Sequence, residues 1–269
     1  MEHLQSNKNS TIKDVKSLQQ RKNRDSKGLF FIEGLRFVKE AFDLQEQIEM
    51  VVVSERLLDE SESAQLIADV EAKGIKCIAV PDKLFCEISD TQTPQGIMAV
   101  MKKQKYDLLS TIEKSSFVIV LDSLQDPGNL GTILRTADAA GADCIILSKG
   151  CVDIYSPKVL RATMGSIFHL PVIDGIQIEE ALQTLKAVGH KIVASHLAGN
   201  NNYFETDLTA KTTIVIGNEA NGISDTTVKQ ADILVKIPMP GKAESLNAAI
   251  AAAVMMYEVT RQRMLHPID

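Results

Sequence analysis

Along the chain, short apolar runs alternate with stretches in which apolar residues recur every three or four positions. The first 28 residues are polar and basic, with Ile12, Val15 and Leu18 falling on one helical face. From Leu29 the runs Leu29–Glu33, 48–53, Lys76–Val80 and 97–100 predict strands. Between them 34–44, 60–73 and Asp82–Ile88 predict helices, the second stopped by Gly74. These elements suffice for a compact α/β unit spanning 1–100. The polar tract 101–116 (MKKQKYDLLSTIEKSS) reads as a linker.

A second alternation fills 117–269. Strands are predicted at 117–122, 144–147, 172–173, Lys191–Ser195, Thr212–Ile216 and 233–237. Helices are predicted at 129–140, 157–168 (Ser156 as N-cap, Pro157 first), 178–188 and Asp225–Gln230. A last helix carries Leu246, Ile250, Val254 and Tyr257 at helical spacing, with alanines between them that let another backbone pack closely. The strands are almost continuously apolar, which predicts a mostly parallel sheet with helices on both faces. Ligands of such sheets sit outside the carboxyl ends of the strands.

Composition leaves this picture intact: 45% apolar and 24% charged residues describe an ordinary globular protein. No run approaches the roughly 20 apolar residues of a membrane span, and the N-terminus lacks a signal core, which predicts a cytoplasmic protein. Cys77, Cys86, Cys144 and Cys151 show no metal spacing and are expected to be buried, reduced thiols; no metal site is expected. The net charge is −6, yet the first 40 residues carry nine bases against five acids. Lys8, Lys13, Arg21, Lys22 and Arg24 belong to this basic arm, which is suited to an anionic partner or, equally, to solvation alone.

Three loops that follow apolar strands carry the candidate chemistry. In Asp126-Pro127-Gly128-Asn129-Leu130-Gly131, Asn129 is placed to cap the next helix. Arg135 lies off that helix's apolar stripe, free to grip a phosphate or to form a surface pair with Asp138. In Gly217-Asn218-Glu219-Ala220-Asn221-Gly222, Gly217 allows close backbone approach and Glu219 stands at a strand mouth. In 237–249 (IPMPGKAESLNAA), Ile237 offers backbone groups, Leu246 can pack on an aromatic ring, and Ser245 and Asn247 can hydrogen-bond. Neither GxGxxG nor GxxxxGK[ST] occurs, so a Rossmann or P-loop phosphate site is poorly supported.

Together DPGNLGTILRTADAAGA (126–142), IVIGNEANGIS (214–224) and IPMPGKAESLNAA (237–249) resemble the three signature motifs of the SpoU (TrmH-type) RNA ribose 2′-O-methyltransferases of the SPOUT superfamily. SKGLFFIEGLRFVKEAF (26–42) and TPQGIMAV (93–100) resemble the RNA substrate-binding domain, of ribosomal-protein-like α/β fold, often attached to them. The resemblance implies a deep C-terminal trefoil knot, which topology rules alone would exclude. It also implies an S-adenosylmethionine site completed by homodimerisation. By matching positions, Gly217, Ile237 and Leu246 would contact the cofactor, and Asn129, Arg135, Glu219, Ser245 and Asn247 would surround the transfer site. Lys158 and Arg161 are further candidates for RNA contact. The third motif departs from the commonest SLNVSVA, reading SLNAAIA here while keeping Asn247. The expected activity is 2′-O-methylation of ribosomal RNA. Transfer RNA as substrate, or a non-catalytic RNA-binding or ribosome-assembly protein on the same fold, are the alternatives.

Overall fold

The computed structural model describes residues 1–265; positions 266–269 of the predicted C-terminal domain lie outside the described residues. In chain order the elements are β1 (Glu2–His3), α1 (Ser10–Ser17), α2 (Arg21–Lys27), β2 (Leu29–Glu33), α3 (Leu35–Asp43), β3 (Ile48–Ser54), α4 (Ser61–Ala72), β4 (Lys76–Val80), α5 (Asp82–Ile88) and β5 (Ile97–Lys102). Then come α6 (Leu108–Glu113), β6 (Phe117–Leu121), α7 (Pro127–Ala139), β7 (Cys144–Ser148), α8 (Pro157–Thr163), β8 (Val172–Ile176) and α9 (Ile178–Ala187). The chain closes with β9 (Lys191–Ser195), β10 (Asn201–Asn202), β11 (Thr212–Ile216), α10 (Asp225–Gln230), β12 (Ile233–Lys236) and α11 (Ala248–Leu265). Two compact units result, one of residues 1–104 with 155–168, the other of 105–154 with 169 onward.

The first unit holds a five-stranded mixed sheet, β1-β4-β3-β5-β2, with β5 antiparallel to both β2 and β3. Alternate residues of each strand feed two cores. Phe30, Ile32, Val51 and Val53 pack with Val38, Phe42 and Leu66, while Phe31, Val52 and Ile78 pack with Ile12, Val15, Leu18 and Phe85. The basic segment is therefore no free arm, because Ile12, Val15 and Leu18 seat α1 on the sheet. Arg24 corrects its assignment as an RNA contact. Its side chain is 3% exposed, and its Nη1 donates to the carbonyls of Leu18 and Gln19 at 2.6 and 2.8 Å, closing the α1–α2 turn. The predicted helix 157–168 stops at Thr163, where Met164 turns left-handed (φ 50°), and a 3₁₀ turn follows. Leu160 of α8 is buried in the first unit's core, and Tyr155 and Phe168 stack on Phe30 and Phe37.

The second unit holds a seven-stranded parallel sheet, β10-β12-β9-β11-β6-β7-β8. One face packs Val118, Val120, Ile146 and Val215 against Leu182 and Leu185 of α9. On the other, α11 lies along α7. The buried face of α11 is Ala249, Ala252, Met255, Met256 and Val259, while Ile250 and Tyr257 of the predicted stripe are each 51% exposed. The helix begins at Ala248, not before Leu246, and its small residues turn to α7 because they permit close approach. Farther along, Gln262 accepts from Leu208 N and donates to Thr206 O (2.8 and 2.9 Å), pinning α11 to the loop before β11, and Arg263 donates to Ser116 O (2.8 Å) just ahead of β6.

All four cysteines are free; three are buried as expected, and Cys86 corrects the expectation by being exposed. Burial pushes the Cys77 and Cys144 thiols up to about 11, so both stay protonated at neutral pH. Among the described residues no helix is long and apolar enough to cross a membrane.

The buried guanidinium yields a test. Arg24→Met should cost about 2 kcal/mol, because two carbonyls lose their donor, and the loss should appear as a lower urea midpoint.

Candidate active site

The three motif loops meet at the carboxyl ends of β6, β11 and β12. Pro127 at the first position starts α7 early, and Asp126 caps it, its Oδ1 accepting Asn129 N at 2.7 Å. Asn129 is therefore not the cap, and its side chain is released for longer-range bonds. Its Nδ2 donates to Glu219 Oε1 (2.9 Å), and its Oδ1 accepts from Asn247 Nδ2 (2.9 Å). Asn247 in turn caps α11, its Oδ1 accepting Ala249 N and Ile250 N at 2.9 and 3.3 Å.

Glu219 is the hub of this network. It also accepts the backbone N–H groups of Asp126 (Oε1, 3.0 Å) and Gln125 (Oε2, 3.2 Å). Partial burial would raise its pKa, but the hydrogen bonds from Asn129, from its own backbone and from Asp126 and Gln125 outweigh that and hold it below the usual carboxylate range. Beside it Asn218 Nδ2 donates to Ser123 O (2.9 Å), joining the loops after β6 and β11 a second time. Buried Asp122 adds a third tie, accepting Ser224 N and Thr227 Oγ1 at 2.8 and 2.7 Å at the start of α10. A Cβ on Gly217 would stand 2.2 Å from the carbonyl carbon of Gly222, so only glycine lets this loop fold back on itself.

These loops enclose a cavity of about 610 Å³, within the range of small-molecule sites. Gly217, Ile237 and Leu246 all line it, as do Glu219, Ser245 and Asn247. Asn129 stands behind Glu219 and Asn247, 8% exposed. Arg135 lies away from the cavity lining, exposed on α7, with no hydrogen bond or ion pair among the described residues. Its proposed surface partner, Asp138, bonds His169 Nδ1 instead (2.8 Å).

The remaining candidates sit in the first unit. Lys8, Lys13, Lys22 and Lys158 are exposed. Arg21 is 3.6 Å from Asp25, and Arg161 donates to Asp90 at 3.0 Å. The sequence reading missed His196, Leu197, Lys236 and Met239, which also line the cavity. His196 and Leu197 directly follow the predicted strand Lys191–Ser195, and strand-end position was the signal available for them.

The arrangement places an ionised carboxylate, amide groups and apolar walls around one opening. Such a site can hold a ring between Leu197, Ile237 and Leu246 and a cationic group near Glu219. Because the pKa of Glu219 is lowered on folding, its contribution to stability is complete above the ordinary carboxylate value and is lost as pH falls through the folded one. Glu219→Gln should lower the urea midpoint at pH 7, since an amide must turn N–H groups toward donors. The gap to the unaltered protein should close below about pH 4, as measured by a pH series of urea melts.

Comparison with known proteins agrees with this geometry. Residues 116–257 match the SpoU rRNA Methylase family, and residues 9–99 match an MRM3-like substrate binding domain. A Bacillus subtilis protein, 23S rRNA (guanosine(2553)-2′-O)-methyltransferase RlmP, is 35% identical over 96% of this chain and 99% of its own length. The AdoMet-bound rRNA methyltransferase of Sinorhizobium meliloti superposes with a TM-score of 0.88 at 34% identity, covering 100% of this chain and 99% of that one. AviRb from Streptomyces viridochromogenes, in complex with AdoMet, gives 0.85 at 30% identity over 96% of this chain and 100% of its own. With the family motifs gathered at one cavity on a parallel sheet, this chain belongs to the SpoU RNA methyltransferase family.

Proposed function

We propose that the protein transfers a methyl group from S-adenosylmethionine to a ribose 2′-hydroxyl of ribosomal RNA. The observation that carries this reading is the convergence of Gly217, Ile237 and Leu246 on the cavity that the Glu219–Asn129–Asn247 network holds open. Relatives that match nearly the whole chain and are named as ribosomal RNA methyltransferases support the substrate class. The bound cofactor supplies an electrophilic methyl group on a sulfonium, and the residues present fit it, with apolar walls for a purine and a carboxylate for a positive centre.

The protein's part is placement. In-line displacement demands that the 2′-oxygen be held close to the methyl carbon, opposite the departing sulfur, and it demands no metal. As the oxygen attacks, its proton must leave. Glu219 is poorly suited to take it, since both its oxygens hold N–H donors and its pKa is lowered, so it orients the loops. Arg135, a guanidinium with no partner among the described residues, holds the phosphate beside the target ribose, and that phosphate accepts the proton. Ser245 and Asn247 border the transfer site as hydrogen-bonding groups.

In this reading the first unit is the RNA-binding domain and the second is the knotted methyltransferase domain; the expected linker 101–116 is instead divided between the end of β5 and the segment carrying α6, and 155–168 belong to the first unit. Lys8, Lys13, Arg21, Lys22, Lys158 and Arg161 contact RNA phosphates. The basic surface is smaller than the residue count suggests, because Lys27 pairs with Asp14 and Lys103 with Asp25, each at 2.6 Å. Affinity should therefore fall with salt by only a few phosphates' worth of slope. The active form is a cytoplasmic homodimer. Support for the dimer comes from α11, where Ile250, Val254 and Tyr257 lie at helical spacing and expose apolar surface next to a motif loop.

Two outcomes test the proposal. Incubation with methyl-labelled S-adenosylmethionine and unmodified ribosomal RNA should yield labelled 2′-O-methylnucleoside on digestion. Arg135→Ala should lower the rate at least about 100-fold while cofactor binding by calorimetry is retained; label on a base, or in transfer RNA alone, would refute the assignment. Ile250→Asp combined with Tyr257→Asp should convert the dimer to monomer in sedimentation velocity, since two buried charges cost more than such a face gains.

A further inference from the structure

Two cavity residues with ionisable side chains lie outside all three motifs: His196 just past β9, and Lys236 at the end of β12. The two strands run parallel and in register, with Val235 beside Ser195, and His196 N donates to Val235 O at 2.9 Å. The next residue on each, His196 and Lys236, therefore leaves the sheet toward the same side. The turn after β9 is tightly fixed. Gly199 N donates to His196 O (3.0 Å), and a Cβ at Gly199 would stand 2.7 Å from the carbonyl carbon of Val235, so glycine alone lets this turn lie on β12.

The imidazole is set by that turn. His196 Nδ1 accepts the N–H of Ala198 at 3.1 Å, so the neutral ring carries its proton on Nε2. Nε2–H has no acceptor among the described residues, and half-buried Lys236 has no ion pair or hydrogen bond among them. The other charged residue lining the cavity is Glu219, whose two oxygens already accept N–H groups. The corner thus presents one cation and one oriented donor with no free acceptor, the chemistry that receives a carboxylate.

We propose that His196 and Lys236 form the carboxylate-binding corner of the cavity and hold the amino-acid end of S-adenosylmethionine. The assignment rests on the cavity being the cofactor site and specifies which end of the cofactor lies where β9 and β12 finish. Neither residue takes part in methyl transfer; both fix the cofactor's orientation.

Calorimetry with two probes tests it: S-adenosylhomocysteine, which has the amino-acid carboxylate, and 5′-methylthioadenosine, which has a similar nucleoside without it. Lys236→Met and His196→Ala should each weaken S-adenosylhomocysteine about tenfold, as expected for one charge-assisted hydrogen bond partly open to water, and leave 5′-methylthioadenosine unchanged. His196→Gln, whose amide N–H reaches about as far as Nε2–H, should recover part of the loss. Thermal melting of the unliganded variants controls for folding, and Lys236→Met, which removes no protein contact, decides the matter if His196→Ala is unstable. Equal losses for both probes, or no loss for either, would overturn the corner while leaving the cofactor site standing. Weaker RNA binding with unchanged S-adenosylhomocysteine affinity would give the corner to a phosphate and also overturn it. If the unaltered protein bound neither probe, the cofactor site itself would fall, and the corner with it.

Discussion

The site depends on one carboxylate. Glu219 gathers the N–H groups of Gln125 and Asp126 and the side chain of Asn129, joining loops 93 residues apart in sequence. Through Asn129 the same network reaches Asn247, 118 residues farther along, which caps α11. A carboxylate that accepts several N–H groups is favoured in its charged form, so the clamp is strongest at neutral pH. Beside the clamp, Asn218 and Asp122 tie the loop after β6 to the loop after β11 and to the start of α10. Glu219, Asn129 and Asn247 thus act on one another and on the backbone of the three motif loops.

The clamp also explains the division of labour around the cavity. Side chains that are saturated by protein donors and acceptors, Glu219, Asn129 and Asn247, define its shape. Outside the clamp, Lys236 at the cavity and Arg135 on α7, away from it, have no hydrogen bond or ion pair among the described residues. A displacement reaction that needs accurate placement more than a strong base suits such an arrangement, since rigid walls hold the reacting atoms at little entropic cost. The parallel sheet contributes by delivering β6, β9, β11 and β12 to one edge with their carboxyl ends aligned.

Much of this was legible beforehand, and the departures are instructive. The strands Leu29–Glu33, Lys76–Val80, Lys191–Ser195 and Thr212–Ile216 appear as read, because buried apolar runs bounded by polar turns admit few other conformations. The short pairings of Glu2–His3 and Asn201–Asn202 were invisible, since two residues at a sheet edge carry no period. Asn129 read as a cap because asparagine before an apolar run favours one, yet Asp126 with Pro127 started the helix earlier. Ile250 and Tyr257 read as a helical stripe with close-packing alanines between them, and α11 buries alanines and methionines while both of those residues stay exposed.

By itself the sequence determined which segments are strands and helices, that the strands are covered on both faces, and which loops bear motif residues. Periodicity and turn chemistry are local, and local pattern suffices for those. The tertiary structure decided what each polar group does. Arg24 belongs to the core because α1 and α2 fold over it, Arg135 has no partner among the described residues while Asp138 bonds His169, and His196 and Lys236 share one side because β9 and β12, distant in sequence, lie in register. A side chain's role follows from the partners that long-range packing brings to it, and spacing along the chain contains no record of them.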